Sequence, residues 1–493
     1  MSLLLLIVSV TTLLLGTTAA DPGADQSNVE TACEDLVKIL PGAVHLSSSA
    51  NYSTLVSENW SATATAHPAC IVVPASAAEV QKIVELLVGE QVQFAIRSGG
   101  HSPSPGAANI DNGVLIDLAD LNGITYDAAS STVVVGTGNR WNAVYTALDP
   151  YNVTVVGGRV VDVGVGGFLL QSGLSYLSDL YGLGCDNVVE HEVVLANGSL
   201  VTASADQHPD LHWALKGGAN NFGVVTSFKL STYQIHLVWG GFKFYALDQL
   251  PALYAAMAEY QAAPNKDPYA NVMLQAFTTN ATNGAVLDIV YLKPEADPAA
   301  FAPFYSIPTT GDTTQIQTLT DMMSAQYVPD IPRIDWFATS FLPDAGLYEA
   351  INNITTSAAN LAPIESLTAG SMAIGLQPIS ASLVLAGQER GGNVFGLSAI
   401  NQTWFVLDSG WWLPSEDDPG HNATLDIQES IWDAAVERGL EVEYIFANDA
   451  SYSQAVLQSY GSENVAKMKD VQARYDPHMV FQRLVPGGFK LGL

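Results

Sequence analysis

The sequence predicts an α+β fold in two domains, and three observations carry this prediction. Short β-rich segments alternate with helical segments over the first half of the chain, which is typical of a sheet-built domain with packed helices. From about residue 236 the pattern changes to apolar β-type runs separated by helices, which predicts a sheet flanked by helices. The length of 493 residues is sufficient for two domains of ordinary size.

The chain begins with an apolar leader. Residues 3–15 form a short hydrophobic run, and small residues follow as far as Ala20. This pattern is typical of a secretory signal cleaved before Asp21, and the run is too short to span a membrane comfortably. We therefore expect a signal peptide over residues 1–20, a secreted mature protein and no membrane association.

Sequons and charge agree with secretion. The N-x-S/T sequons lie at Asn51, Asn59, Asn152, Asn197, Asn280, Asn353, Asn401 and Asn422. Each is a possible glycan site in a chain that passes through the secretory pathway. The formal net charge of −31 argues against nucleic acid as a partner. We expect a monomer that acts on a small molecule.

Three cysteines occur in the chain. In an oxidising compartment Cys33 and Cys70 are the expected disulfide, which would tie the N-terminal arm to the next domain. A loop of this length contributes roughly 3–4 kcal/mol when the bond is unstrained. Cys185 is then expected to be a buried, unreactive thiol.

The first clear helix is predicted over residues 76–91. Ser76 is its expected N-cap, and Glu79 completes a capping box. Its apolar face consists of Val80, Ile83, Val84 and Leu87. A buried strand over residues 92–96 follows, and residues 114–118 and 132–137 are also β-rich.

Residues 97–102, with the sequence Arg-Ser-Gly-Gly-His-Ser, form the most informative motif. The two glycines let the backbone turn tightly and leave N–H groups free to hold an anion, for which a pyrophosphate is the obvious candidate. Arg97 adds a fork of donors, and His101 places an imidazole at the end of the turn. From these residues alone, a glycine-rich surface turn with an incidental histidine is the alternative. A hydrolase site at His101 and Ser102 is disfavoured because no nucleophile elbow is present.

A second glycine-rich segment spans residues 157–173. It contains Gly157, Gly158, Gly164, Gly166 and Gly167. A Rossmann interpretation requires a helix that opens at the glycines and an acid about twenty residues later. The sequence after residue 167 does not predict a clean helix, so the Rossmann interpretation is disfavoured.

The remaining elements are predicted from local patterns. Asn197 and Gly198 indicate a hairpin turn. His208 and His212 share a helix face, but no third ligand is near, so a solvated helix start is favoured over a metal site. β-type runs are expected at 238–245, 272–277, 285–292, 373–376, 384–385, 404–407 and 441–447, with helices at 249–263 and 424–438. The aromatic pocket candidates, most of them expected in the core, are Tyr291, Trp336, Phe337, Trp404, Trp411 and Trp412.

These motifs resemble the covalent-flavin family of berberine-bridge-type oxidoreductases, of the fungal secreted type, within the vanillyl-alcohol-oxidase fold group. The resemblance covers nearly the whole mature chain. It rests on segments 74–76, 97–102, 113–122, 157–173, 186–188, 213–226 and 475–481. It implies a PCMH-type FAD-binding domain at 66–235, after an arm at 21–65. A substrate domain of antiparallel sheet covered by helices follows at 236–439, and segment 440–493 is expected to pack back on the FAD domain.

The resemblance also implies a cofactor site. His101 matches the histidine that the family bonds to the 8α-carbon of FAD, and Asn448 matches the asparagine of a Tyr-x-Asn pattern near the flavin. The residues expected to bind FAD are His101, Arg97, Ser98, Gly99, Gly100, Ser102, Gly158, Gly164, Gly166, Gly167, Gly218, Gly223, Val225 and Asn448.

Two departures from the family pattern affect the expected chemistry. Leu174 occupies the position of the cysteine that forms a second flavin bond in many members, so a single histidyl link is expected. Phe446 replaces the tyrosine of the Tyr-x-Asn pattern, so the family's base cannot be transferred. The catalytic residue is unassigned, with Tyr444 and Tyr452 as nearby candidates.

The resemblance implies an FAD-linked oxidoreductase that takes hydride from a small organic molecule, with O₂ as the expected electron acceptor. Oxidative tailoring of a secondary metabolite is the favoured role, because the sugar oxidases of the family typically carry both the cysteine and the tyrosine. Oxidation of a carbohydrate at its anomeric carbon is the first alternative. A catalytically silent, secreted flavin-binding glycoprotein is the alternative from another class.

Overall fold

The computed structural model describes residues 22–492 except 265, 281–282 and 326–330. The expected signal peptide at 1–20 lies outside the described residues. Helices and largely antiparallel sheets are mixed, which confirms the α+β class. Within the described part of the chain, no helix combines the length and apolar character needed to cross a bilayer.

The first sheet has four strands in the order β1-β2-β4-β3, and β2, β4 and β3 run parallel. The elements of this part are α1 (Pro22–Ile39), β1 (Val44–Leu46), α2 (Tyr52–Val56), β2 (Cys70–Val72), α3 (Ala77–Gly89), β3 (Phe94–Arg97) and β4 (Val114–Asp117). The predicted disulfide between Cys33 and Cys70 is confirmed and joins α1 to β2. The predicted helix α3 is also confirmed, since the Ser76 hydroxyl accepts a hydrogen bond from the Glu79 N–H at its start.

The second sheet has five strands in the order β5-β6-β9-β7-β8, all antiparallel. Its elements are β5 (Ile124–Asp127), β6 (Thr132–Gly136), α4 (Trp141–Leu148), α5 (Val165–Gln171), α6 (Ser178–Tyr181), β7 (Val188–Val194), β8 (Leu200–Ser204), α7 (Pro209–Leu215) and β9 (Val224–Ser231). The hairpin between β7 and β8 turns at Asn197 and Gly198, as the sequence predicts. The expectation that no clean helix opens after residue 167 is wrong, because α5 spans Val165–Gln171.

The third sheet is larger, and its principal strands follow the order β13-β10-β12-β11-β16-β17-β15-β18, with β14 beside β10. Its strands are β10 (Leu237–Tyr245), β11 (Ala270–Thr278), β12 (Asn283–Tyr291), β13 (Gly311–Asp312), β14 (Gln315–Thr318), β15 (Arg333–Phe341), β16 (Ser371–Ile379), β17 (Gln402–Trp411) and β18 (Glu441–Val442). The helices of this part are α8 (Leu250–Ala262), α9 (Leu319–Ser324), α10 (Ala345–Thr356), α11 (Ala358–Glu365), α12 (Ala381–Glu389) and α13 (Asp417–Val436). The chain ends with α14 (Ser462–Tyr475) and α15 (Val480–Arg483).

Two predicted strands are wrong. Residues 384–385 lie in α12, where Leu383, Val384 and Gly387 share the buried helix face. The run 441–447 pairs with the sheet only at Glu441 and Val442. Beyond that point the chain leaves the sheet, because the rings of Tyr444 and Phe446 insert against Trp404, with ring centroids 4.9 and 4.6 Å away.

The C-terminal segment returns to the first sheet. The N–H of Phe94 in β3 donates to the carbonyl of Leu484 (2.7 Å), and the Phe94 and Phe481 rings meet edge to face. The side-chain amide of Asn220 donates to the Gly487 carbonyl (3.0 Å). Helix α1 and the C-terminal segment therefore share one apolar core with the first sheet.

Candidate active site

A cavity of about 310 Å³ lies where the three sheets meet. One wall, which we call the glycine wall, consists of the turn at 98–102 and the segment 158–167. The opposite wall, which we call the substrate wall, consists of Trp336 from β15 and residues 446–452. Gly488 and Phe489 of the C-terminal segment also contact the space. The cavity thus brings together segments that lie far apart in the sequence.

Backbone contacts build the glycine wall. A Cβ placed on Gly99 would lie 2.5 Å from the Gly164 Cα, so the two segments can approach only because both residues are glycine. The Ser98 hydroxyl fixes the same contact, since it donates to the Thr137 carbonyl (2.6 Å) and accepts from the Gly166 N–H (3.1 Å). The two glycine motifs are therefore one unit in the fold.

His101 lines the cavity at the end of the turn. Its ring stacks on Trp60, with centroids 4.3 Å apart and planes inclined by 8°. Burial, assisted by the nearby charge of Arg140, lowers the pKa of His101 to about 4. The imidazole is consequently neutral at physiological pH, which leaves one ring nitrogen with a free lone pair.

Arg97 does not line the cavity, which corrects the assignment of its guanidinium to a pyrophosphate. The guanidinium is buried and donates to the Asp117 carboxylate (2.6 Å) at the end of β4. It also contacts Glu58 (3.4 Å) and donates to the Asn59 side-chain oxygen (3.3 Å). A buried cation requires such a partner, and the parallel register of β3 and β4 places Arg97 beside Asp117.

The other expected FAD-binding residues divide in two groups. Those that line the cavity are Ser98, Gly99, Gly100, Ser102, Gly158, Gly164, Gly166, Gly167, Gly223, Val225 and Asn448. Gly218 does not line it, which corrects that assignment. A Cβ on Gly218 would lie 2.3 Å from both the Ala214 carbonyl oxygen and the Phe222 ring, so this glycine serves internal packing.

Asn448 connects the substrate wall to helix α5. Its side-chain oxygen accepts hydrogen bonds from the Gly173 N–H (2.9 Å) and the Ser172 hydroxyl (2.7 Å). Because these bonds fix the short 3-10 helix Ala447–Asp449, the neighbouring side chains Phe446 and Asp449 are held at the cavity.

The two tyrosine candidates differ in position. Tyr444 is buried in a ring cluster with Trp404 and Tyr460 and does not line the cavity, so its candidacy for catalysis is wrong. Tyr452 does line the cavity and is about half exposed, with its ring stacked on His421 at 4.8 Å. Of the six aromatic pocket candidates only Trp336 lines the cavity; Tyr291, Phe337, Trp404 and Trp411 are buried in the cores, and Trp412 is 56% exposed.

Sequence reasoning missed a polar chain at the substrate wall. Among the described residues that line the cavity, Asp449 is the one that carries a carboxylate. It accepts a hydrogen bond from the Gln377 amide (2.9 Å), and the Gln377 oxygen accepts from Arg159, which also lines the cavity. Burial raises the pKa of Asp449, while the charge of Arg159 opposes that shift. Asp449 directly follows Asn448, but the sequence alone does not show which way its side chain points.

A further acid lies behind this wall. Asp408 stands opposite Trp336 in the pairing of β15 with β17. Burial raises the pKa of Asp408 well above its usual range, and the charges of Asp449 and Asp335 add to the effect. Burial thus raises the pKa of one carboxyl group at the substrate wall and of a second one behind it.

A family described as FAD binding domain matches residues 68–204. The bifunctional solanapyrone synthase of Alternaria solani is 37% identical over 441 residues, which cover 89% of this chain and 85% of that protein. The chain belongs to the family of FAD-dependent oxidoreductases that includes this synthase. It is therefore a redox enzyme that uses FAD, and the cavity between the two walls is its candidate cofactor site.

Two solved structures share the fold of this chain. The structure of 6-hydroxy-D-nicotine oxidase from Arthrobacter nicotinovorans has a TM-score of 0.75 at 21% identity, covering 90% of this chain and 97% of that one. Glucooligosaccharide oxidase from Acremonium strictum, described with a 6-S-cysteinyl, 8α-N1-histidyl FAD, has a TM-score of 0.75 at 18% identity, covering 91% and 97%. At these identities the likeness establishes the fold of this oxidoreductase and nothing finer.

The residues of this oxidoreductase fit FAD. Gly167 lines the cavity, and a Cβ added there would meet no atom of the chain within 4 Å. The absence of a side chain at this position therefore leaves cavity space open. Gly158 and Gly166 line the same wall, and the neutral imidazole of His101 stands at its end. Leu174 also lines the cavity, so no thiol stands at that position for a second flavin bond.

Some of the remaining sequence predictions are corrected in this fold. Asn59 is only 7% exposed, and its side-chain oxygen accepts from Arg97 and Asn109, so its assignment as a glycan site is wrong. His212 is buried beside His191 (Nδ1 to Nδ1, 3.1 Å) rather than solvated, whereas His208 is exposed.

Proposed function

We propose that this enzyme holds FAD through a single covalent bond from His101 and oxidises a small, largely apolar organic molecule in the tailoring of a secondary metabolite. The observation that carries the proposal is the position of a neutral, stacked imidazole at the end of a wall of glycines. When bound, FAD supplies a two-electron acceptor, which passes electrons on to an external oxidant.

The covalent step balances with dioxygen as the oxidant. An imidazole nitrogen of His101 forms a bond to the 8α-carbon, one methyl C–H bond breaks, and the imidazole N–H proton is lost. Two electrons and two protons pass to O₂, which gives one H₂O₂ for each link formed. A single link is proposed because Leu174, and no thiol, lines the cavity at the position of the second flavin bond.

Asp449 is proposed as the group that takes the substrate proton. Its hydrogen bond from Gln377 orients the carboxylate, and the bond from Arg159 to Gln377 fixes the orienting amide. Burial raises the pKa of Asp449, which brings the carboxyl closer to the working range of a general base. Tyr452, half exposed beside His421, is the second group at this wall that could exchange a proton.

The character of the substrate wall supports an apolar substrate. Trp336, Phe446, Ala447 and Ala450 present indole, phenyl and methyl groups to the cavity. A sugar site requires many directed polar partners, because unpaired hydroxyl groups are penalised on burial. The secondary-metabolite role is also supported by the likeness to solanapyrone synthase, and oxidation of an oligosaccharide is the competing role.

The experiment is an anaerobic reduction of the bound flavin, followed by admission of air. A panel of apolar alcohols and activated polycyclic precursors is compared with a panel of oligosaccharides. The proposal expects bleaching of the flavin by members of the first panel and recovery of colour with H₂O₂ formation in air. Reduction by oligosaccharides alone would overturn the substrate class. Slow recovery in air would assign a different electron acceptor, and failure of every compound would favour a silent flavin-binding glycoprotein.

We also propose that the protein is secreted and glycosylated. A disulfide between Cys33 and Cys70 suits an oxidising compartment. The sequon asparagines that are exposed are Asn51, Asn152, Asn197, Asn280, Asn353 and Asn422. Asn401 is half-buried and its amide donates to the Gln261 carbonyl, so we do not include it. Deglycosylation of the secreted protein followed by peptide mass mapping tests these positions.

A further inference from the structure

Trp60 lies outside the matched FAD-binding segment, yet its indole ring covers the ring of His101. The two rings are nearly parallel, with centroids 4.3 Å apart. Among the described residues, the imidazole of His101 hydrogen-bonds only to its own backbone, so no polar group of another residue fixes the ring. Because rotation about the second side-chain torsion of histidine is soft, the orientation of the ring depends on what packs against it.

Trp60 is itself held rigidly. The backbone N–H of Trp60 donates a hydrogen bond to the Gly100 carbonyl (2.9 Å), within the turn that carries His101. The next residues are tied to the substrate domain, since the Ser61 hydroxyl accepts from the Ile334 N–H (3.1 Å) and the Ala62 N–H donates to the Pro332 carbonyl (2.7 Å).

The indole also has a partner beyond His101. Trp336 of the substrate wall stacks on it with centroids 5.6 Å apart and planes inclined by 27°. The N-terminal arm therefore places one aromatic ring between the cofactor turn and the substrate wall.

We propose that Trp60 is a positioning residue for the covalent attachment of FAD, because its stacked indole fixes the plane of the His101 imidazole. The inference rests on the proposed histidyl link. The lone pair that forms the new bond lies in the plane of the imidazole ring, so the tilt of the ring decides whether the nitrogen points at the carbon it attacks. Orientation of this kind contributes strongly to rate, and a misplacement of about 1 Å can slow a reaction about 100-fold.

The test compares Trp60→Leu with Trp60→Phe. Leucine keeps apolar bulk but cannot stack, whereas phenylalanine keeps a ring that can. Protein produced under riboflavin limitation is incubated with FAD in air, and acid-stable flavin is measured over time. We expect attachment to be about 10- to 100-fold slower in W60L and within about 3-fold of wild type in W60F.

Two controls separate positioning from a general loss of structure. Trp213→Leu removes a tryptophan of α7 that packs under Lys467 and does not line the cavity, and this variant should attach FAD at the wild-type rate. His101→Ala and the double variant H101A/W60L should bind FAD non-covalently with similar affinity, measured by flavin fluorescence.

The outcomes are distinguishable. A wild-type attachment rate in W60L would overturn the role of Trp60 and leave the histidyl link intact. Equal slowing in W60F and W60L, together with weaker non-covalent binding in H101A/W60L, would also overturn it, because Trp60 would then support the fold rather than the ring. Absence of acid-stable flavin in the wild-type protein would instead overturn the proposed function.

Discussion

The two walls of the cavity are built by opposite means. The glycine wall consists mainly of backbone, and its close contact between Gly99 and Gly164 depends on the absence of side chains. The substrate wall consists of side chains, namely Trp336, Phe446, Asp449 and Tyr452, which reach the space from β15 and the loop after β18. The glycine wall is suited to a cofactor of constant shape, whereas the shape of the substrate wall can be changed by replacing single side chains. The difference explains how one fold serves many substrates.

The largest expected effect falls on the substrate wall. Asp449→Asn removes the proposed proton acceptor but keeps the hydrogen-bond geometry with Gln377. We expect flavin reduction by an accepted substrate to slow about 10²- to 10⁴-fold. Flavin content should stay at the wild-type level, since the substitution changes no residue of the glycine wall. Rapid reduction in this variant would show that another group, with Tyr452 the first to examine, takes the proton.

The next effect concerns the support of the glycine wall. Asp117→Ala leaves the guanidinium of Arg97 buried without its main partner, because the two side chains are 1% and 2% exposed. We expect a loss of about 3–5 kcal/mol in the free energy of unfolding, measured with urea. Glu58→Gln is the matched control, since Glu58 is 42% exposed and should change stability by less than about 1 kcal/mol. Similar small effects in both variants would contradict a structural role for the Arg97 pair.

A pair of alanine substitutions sharpens the contrast within the glycine wall. A Cβ on Gly164 would lie 2.3 Å from the Gly99 nitrogen, so Gly164→Ala should destabilise the protein by about 1–3 kcal/mol and abolish FAD uptake.

A Cβ on Gly167 meets no atom of the chain, so Gly167→Ala should leave stability unchanged or slightly higher. Its FAD affinity should nevertheless fall, because the new methyl group enters the cavity. Unchanged affinity in G167A would place the cofactor away from this glycine.

The smallest expected effect concerns the free energy of unfolding as the pH falls, to which a buried histidine pair and two carboxyl groups near the substrate wall contribute with opposite signs. His191 of β7 and His212 of α7 form a buried pair, and burial lowers the pKa of both, to about 4 for His212. A lowered histidine pKa means that the unfolded chain binds more protons between pH 6.5 and 4, so this contribution is complete above pH 6.5 and is lost as the pH falls. The pKa values of Asp408 and Asp449 are raised, so their contribution has the opposite sign.

The double variant H191L/H212L tests this sign. Its free energy of unfolding should fall less than that of the wild type between pH 7 and pH 4, because the variant lacks the two groups that take up protons on unfolding. Urea titrations at the two pH values give the comparison. An equal fall in both proteins would show that folding does not lower the pKa values of the two histidines.

The contrast between the walls also explains what the sequence could predict. The glycine turn, the second glycine segment and helix α3 depend on local backbone requirements, which appear directly as Gly, Ser and Glu at fixed spacing. Leu174 could be matched to the family pattern because it directly follows the second glycine segment, and Asn448 because it stands in the Tyr-x-Asn pattern. The fold class followed from the change in strand pattern near residue 236.

The other features of the site depend on tertiary contacts, which no local sequence pattern indicates. Arg97 turns away from the cavity because Asp117 stands beside it in the neighbouring parallel strand. Asp449 and Tyr444 are five residues apart, yet only Asp449 reaches the cavity, because the chain leaves the sheet after Val442. Trp60 and His101 are 41 positions apart in the sequence, and no periodic pattern indicates their contact.

The central claim is that His101 carries the flavin, and acid precipitation tests it most directly. The wild-type protein and His101→Ala are precipitated with acid, and flavin fluorescence is measured in the pellet and the supernatant. The account predicts flavin in the pellet for the wild type and in the supernatant for the variant. Flavin retained in both pellets would contradict the single link and require a second attachment site. Folded wild-type protein that releases its flavin into the supernatant would contradict the covalent bond itself.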